Sequence, residues 1–201
     1  MDLTDAQREA LELFTRRVET SPHNLVSRRA RDELRDRHVP ECVSLAASLP
    51  EGPRLLDVGS GGGFPGVVIA ITRPDLDVTL LDATTKKVEF LRETGDVIGV
   101  PFHVEHGRAE DLRDTHAGSF DLCTARAVAP LGRLLGWTVP FLRPGGLLYA
   151  VKGDRWREEL EEARTELRTW GAEVVATPDE IHTPDDTTSP MVVIIRRTPT
   201  A

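Results

Sequence analysis

Cysteine, long apolar runs and net positive charge are all in short supply in this sequence, and each shortage closes off a class of protein. There are two cysteines in 201 residues, Cys42 and Cys123, with no metal-ligand companion near either. That argues against a disulfide framework and against a zinc site, so both read as buried thiols and no metal is expected. No stretch approaches the roughly 20 apolar residues that a membrane span needs, so no membrane partner is expected. The N-terminus, MDLTDAQREALELF, carries acids where an export signal would carry basic residues, and a cytoplasmic setting is the expectation. The net charge of −8 argues against a protein that coats nucleic acid.

What remains is an ordinary globular balance, 39% hydrophobic and 29% charged, at a length suited to one domain with a short extension. A monomer is the default expectation. The charge is unevenly spread. Residues 126–157 hold six basic side chains against one acid, and residues 16–37 hold seven arginines against four acids. Arginine outnumbers lysine 22 to 3 throughout, so only the clustering is informative.

The first twenty residues predict an amphipathic helix, with Thr4 as N-cap and Ala10, Leu11, Phe14 and Val18 at helical spacing. A second helical stretch is expected over 27–49, broken or kinked at Pro40. Together they make residues 1–50 an N-terminal helical extension. From Arg54 the pattern changes to short apolar runs separated by helical segments. Strands are predicted at 54–59, 77–83, 101–107, 120–126, 147–153, 172–178 and 191–197, with helices near 65–72, 85–99, 130–141 and 155–170. This alternation predicts that residues 51–201 form an α/β fold, a doubly wound, mainly parallel seven-stranded sheet. The connection PDEIHTPDDTTSP has no room for a long crossover helix, so the last strand is expected to be antiparallel.

The run DVGSGGGFPG, Asp57 to Gly66, closes the first strand and opens a helix, where an open α/β sheet binds its ligand. Gly61, Gly63 and Gly66 fit the dinucleotide pattern G-x-G-x-x-G. Asp57, Gly59, Gly61 and Gly63 fit an acid-x-G-x-G-x-G pattern that resembles the first motif of Rossmann-like methyltransferases using S-adenosylmethionine. A plain tight turn is the third reading. Register favours the methyltransferase template, because Gly59 already follows the strand directly. An acid at Asp57 would also suit the amino group of S-adenosylmethionine better than a pyrophosphate. The second strand ends in Asp82, 23 residues after Gly59, the spacing at which an acid accepts from ribose hydroxyls. A helix cap is its alternative role. After the third strand, Ala109 and Glu110 stand where such enzymes meet the adenine amine. Arg126, after the fourth strand, offers a fixed planar cation for phosphate or a base edge, or else a local salt bridge. There is no Asn or Asp followed by Pro-Pro and an aromatic, and no Pro-Cys nucleophile, which removes two common classes of base methylation.

Five runs carry a more specific likeness: NLVSRRARDELRDRH (24–38), LLDVGSGGGFPGVVIAITRPDLDVTLLDATTKKVEFLRE (55–93), HGRAEDL (106–112), ARAVAPL (125–131) and LRPGGLLYAVKG (142–153). They resemble the RsmG family, also called glucose-inhibited division protein B, over about two thirds of the chain. The resemblance implies a Rossmann-like fold and methylation of N7 of a guanine in bacterial small-subunit (16S) ribosomal RNA. It implies S-adenosyl-L-methionine contacts at Gly59, Gly61, Phe64, Asp82, Ala83, Thr84, Ala109, Glu110 and Arg126. The acidic helix EELEEARTEL matches nothing in that pattern. Guanine N7 carries a lone pair and no proton, so transfer would need in-line positioning rather than a strong base. Arg126 and Lys152 are the candidate acceptor-side catalytic cations, with Arg133, Arg155 and Arg157 attracting phosphate, and Trp156 stacking on a base or packing in a helix. Asn24, Arg28, Arg29 and His38 extend the RNA surface or serve as caps and solvated faces. The expected partner is small-subunit RNA or ribonucleoprotein, with dependence on folded RNA because of the acidic net charge. Competing readings are a small-molecule methyltransferase, an NAD-dependent oxidoreductase, and a noncatalytic S-adenosylmethionine-binding assembly factor.

Overall fold

The computed structural model describes residues 1–52, 54–181 and 190–198. Seven strands form one sheet in the order β3-β2-β1-β4-β5-β7-β6. They are β1 Arg54–Val58, β2 Asp77–Asp82, β3 His103–His106, β4 Phe120–Arg126, β5 Leu142–Val151, β6 Ala172–Ala176 and β7 Val192–Arg197. The first five are parallel, and β7 runs antiparallel between β5 and β6, as the short final connection requires. Alternation across β1 divides the core. Leu55 faces one apolar layer, with the N-terminal helices, while Leu56 and Val58 face the other.

The N-terminal residues share that first layer. Helix α1 (Asp5–Thr20) starts at a capping box in which Thr4 and Gln7 satisfy each other's backbone amides. The Gln7 side-chain amide also donates to Ile71 O and Thr72 O, at 3.1 Å each, closing the end of α4 (Gly66–Thr72). The stretch expected as one kinked helix is three pieces: α2 (Arg28–Asp32), a π-helical turn (Leu34–His38) and α3 (Val39–Ser48). Pro40 explains the break. Its ring would clash with the carbonyl four residues back, and the chain takes up one extra residue, so that His38 N donates to Glu33 O at 3.1 Å. The end of α3 is stapled by Arg73, whose guanidinium donates to Ala46 O, Leu49 O and Pro50 O at 2.7–2.8 Å. Arg73 also holds the Asp75 carboxyl down to about 2.

Elsewhere α5 (Thr85–Ile98) ends at Gly99 in the left-handed conformation. A short α6 (Ala109–Leu112) occupies the GRAEDL loop, and α7 (Leu131–Thr138) passes into a 3-10 turn (Val139–Phe141). The expected helix over 155–170 breaks at Ala163 into α8 (Trp156–Glu162) and α9 (Arg164–Thr169). Strand β5 begins earlier than expected, because the Pro-Gly-Gly segment extends along Phe120 before a register shift. The last connection carries α10 (Pro178–Ile181), and the rest of it lies outside the described residues. No described helix is long and apolar enough to cross a membrane.

Phe14 of α1 is fully buried, 4.9 Å from the Phe64 ring and packed against Gly63 of the turn after β1. Phe14→Ala is expected to cost about 3–5 kcal/mol in urea unfolding, the ordinary price of emptying an aromatic site in a packed core. A loss below about 1 kcal/mol would show that α1 is not part of the core.

Candidate functional site

The turn after β1 is gripped from three sides, and this grip accounts for its glycines. Gly59 and Gly61 have φ of +73° and +58°, where a side chain is strained. A Cβ on Gly59 would lie 2.9 Å from both methyls of Val128, which comes from the loop after β4. One on Gly62 would lie 3.1 Å from Leu25 Cβ, and one on Gly63 3.0 Å from the Phe14 ring, so the N-terminal helical layer packs on the outer side of the turn. From β2, Asp82 reaches across: its Oδ2 accepts from Gly61 N at 2.9 Å and its Oδ1 from Thr84 N at 2.8 Å. Thr84 itself is the N-cap position of α5.

Asp57 does not face this opening. It is 1% exposed and points into the protein, where it accepts from Thr124 Oγ1 at 2.8 Å and from Gly66 N at 3.2 Å. It therefore ties β1 to β4 and to the start of α4, and the expectation that it meets a ligand amino group is corrected. Burial pushes its carboxyl up to about 6, against the lowering pull of the Thr124 and Gly66 hydrogen bonds.

Two cavities open at the carboxyl ends of the strands. The smaller, about 190 Å³, is bounded by Gly59, Asp82, Ala83, Ala109, Glu110 and Arg108, with Val128 and Trp137 closing it. Five of the residues expected at a cofactor thus share one wall. Gly61 and Thr84 stand behind that wall as backbone donors to Asp82. The Phe64 ring is turned away into the core against Phe14. Trp137 was invisible in the sequence, since its position on the amphipathic α7 reads as core packing. The lining suits a ligand with hydroxyl and amine donors: carboxylate acceptors at Asp82 and Glu110, an apolar indole, and a backbone open to close approach at Gly59.

The larger cavity, about 610 Å³, lies on the other side of Val128, which lines both. Arg126 and Lys152 line it, together with Arg37, Glu41 and Glu159. Its cations are already paired. Arg126 lies 3.5 Å from Glu41 Oε2, donates to Cys42 Sγ at 3.3 Å and contacts His38 Nδ1. Burial opposes ionisation of Glu41, but His38, Arg37 and Arg126 hold its carboxyl below the usual range. Lys152 Nζ sits 2.6 Å from Glu159 Oε2 with its side chain 6% exposed. Of the other basic residues, Arg155 pairs with Glu158 and Arg157 with Asp179, while Arg133 lies over the Trp137 ring. Trp156 is buried, so packing rather than base stacking is its place. Of the N-terminal candidates, Asn24 and Arg28 are exposed, Arg29 pairs with Glu33, and His38 is buried beside Arg126. Both cysteines are buried, and burial pushes the Cys42 thiol up to about 12. Among the described residues no group of His, Cys, Asp or Glu could hold a metal ion.

Comparison with known proteins adds to this geometry. The family model described as rRNA small subunit methyltransferase G matches residues 7–185. The chain is 40% identical over 168 residues to the ribosomal RNA small subunit methyltransferase G of Mycolicibacterium smegmatis, covering 82% of this chain and 71% of that protein. It is 46% identical over 145 residues to the protein of the same name in Thermobifida fusca, covering 71% of this chain and 60% of that protein. The match to the second relative thus spans less than two thirds of its length. Among solved structures, a putative S-adenosyl-L-methionine-dependent methyltransferase from Methanococcus maripaludis superposes with a TM-score of 0.65 at 14% identity, covering 100% of this chain and 98% of that one, a likeness of fold.

The buried carboxyl gives the site a pH signature. A carboxyl whose pKa is raised on folding, from 3.8 to about 6 here, favours the folded state most below pH 3.8 and loses that contribution as pH rises through 6. The stability of the unaltered chain relative to Asp57→Asn is therefore expected to fall between about pH 4 and pH 7, read by urea unfolding at each pH. A flat difference would mean that Asp57 titrates normally.

Proposed function

The chain belongs to the rRNA small subunit methyltransferase G family, and from that membership we propose that it methylates N7 of a guanine in small-subunit (16S) ribosomal RNA, taking the methyl group from S-adenosyl-L-methionine. The observation that carries this reading is the meeting of two cavities at Val128, a smaller one over Gly59 lined by Asp82 and Glu110 and a larger polar one beside it. S-adenosylmethionine supplies an electrophilic sulfonium methyl when bound. Asp82 and Ala83 would hold the ribose, Ala109 and Glu110 the adenine, with Trp137 excluding water from one side. The backbone at Gly59 permits close approach without a Cβ in the way.

A nucleobase in the larger cavity would then lie across Val128 from that ligand. Guanine N7 needs no proton removed before it attacks, so the chain has to supply alignment and a dry, charged wall. Arg126 is the cation on that wall best placed for a base edge or phosphate, and Glu41 and His38 fix its direction. Lys152 stands on the same wall, fully paired. A ribonucleoprotein substrate in the cytoplasm fits this design, because a chain of net charge −8 with paired cations has little attraction for unfolded RNA.

The direct test is mass spectrometry of small-subunit RNA from a strain lacking this gene, before and after complementation. One 7-methylguanosine is expected to disappear and return. Its persistence at the normal level would overturn the substrate assignment. For the cofactor wall, Asp82→Ala is expected to weaken S-adenosylhomocysteine binding by about tenfold or more in calorimetry, some 1.4 kcal/mol. Unchanged affinity would remove Asp82 from the site.

A further inference from the structure

The loop that separates the two cavities, Ala127 to Pro130, has little reason to keep its shape unaided. Ala127 is the one non-glycine among the described residues with a positive φ, +53°. Pro130 has no amide hydrogen, and the α7 amides that follow it start without a side-chain cap from the N-cap position. Yet Val128 must stay against Gly59, because it forms a wall of both cavities. Two side chains from elsewhere hold the end of the loop that leads into α7. Lys152 Nζ, just past β5, donates to Ala129 O at 2.9 Å. Glu159 Oε2, on α8, accepts from Leu131 N at 2.9 Å. The two are joined by their own ion pair at 2.6 Å.

Resting on the methyl-transfer reading above, we propose that Lys152 and Glu159 act together as positioning residues: a paired clamp that fixes the Ala127–Pro130 loop and so sets Val128 between donor and acceptor. The ammonium is not free to meet substrate. It is 6% exposed, and its charge and one of its donors are already committed to Glu159 and Ala129. A cation acting on RNA phosphate would need an exposed, replaceable partner, as Arg155 has in Glu158. Removing either half of a buried pair leaves the other half unmatched, so both singles should loosen the same loop, and the second removal should add nothing.

The experiment is a double-mutant cycle on the full chain, with small ribosomal subunits as methyl acceptor: Lys152→Met, Glu159→Leu and the pair. Each single is expected to lower kcat by about tenfold or more, the double no further than the worse single, and S-adenosylhomocysteine affinity to change less than about threefold. Amide exchange at Leu131 should accelerate about tenfold or more in both singles. If Glu159→Leu fails to fold, Glu159→Gln must show a loss of the same sign. A Glu159 variant with full kcat would overturn the clamp and make Lys152 a directly acting cation, and additive losses would overturn the coupling. If the unaltered chain leaves small-subunit RNA unmethylated, the functional reading falls by itself. The clamp is then judged on Leu131 exchange in Lys152→Met, where faster exchange supports it and an unchanged rate overturns it.

Discussion

The whole site depends on one steric constraint: Gly59, Gly62 and Gly63 in the turn after β1 are packed so closely that a Cβ on any of them would crowd a neighbour. Val128 meets the turn from the β4 loop, Phe14 from α1, and Leu25 from the segment between α1 and α2. Asp82 then ties its middle to β2 through the Gly61 amide. In an open α/β sheet this turn is where a ligand approaches the backbone, and its conformation would be free if nothing braced it. Here the brace is supplied by the first 50 residues as much as by the sheet. The extension is therefore part of what shapes this turn: α1 closes the end of α4 through Gln7, and Arg73 anchors the end of α3.

Charge follows the same logic of elements brought together from afar. Read along the chain, residues 126–157 form a basic island of six cations and one acid. In space the island is answered by acids outside it: Glu41 at Arg126, Glu159 at Lys152, Glu158 at Arg155 and Asp179 at Arg157. These pairs are of two kinds. The Arg126 and Lys152 side chains are 15% and 6% exposed, so their partners fix geometry and cannot be exchanged without leaving a buried charge. The Arg155 and Arg157 pairs are exposed, individually weak, and replaceable by phosphate.

This division also explains what could be read in the sequence. All seven strands were legible, because each buried strand is an apolar run bounded by turn residues, and the antiparallel end followed from the length of one connection. That Gly59, Asp82, Ala109 and Glu110 would line one cavity was legible, since all lie at or just after the ends of strands that share one edge of the sheet. What stayed hidden was nonlocal. Pro40 announced a break but not a π turn, which depends on how the chain absorbs the lost hydrogen bond. Asp57 sat in a ligand-facing motif yet turns inward, because Thr124 on β4 and the Gly66 amide both need its oxygens. Trp137 and Glu159 lie on helices whose periodicity says only which face is apolar. Nothing in their spacing tells that one closes a cavity and the other caps the loop beside it.

The chemistry that remains is narrow. Neither thiol can serve as a nucleophile: both are buried, and burial raises both pKa values, so almost no thiolate exists near neutrality. Asp57, among the described residues the carboxyl raised toward neutrality, is sealed behind the turn and cannot exchange protons with a ligand. Neither thiol nor Asp57 thus offers a covalent or general-base route where the cavities meet. Transfer to an acceptor that already carries a lone pair requires neither, and its rate depends on holding two reactants in line within a fraction of an ångström. A turn braced on both sides, facing a loop fixed where it enters α7, is the kind of rigidity that such a reaction needs.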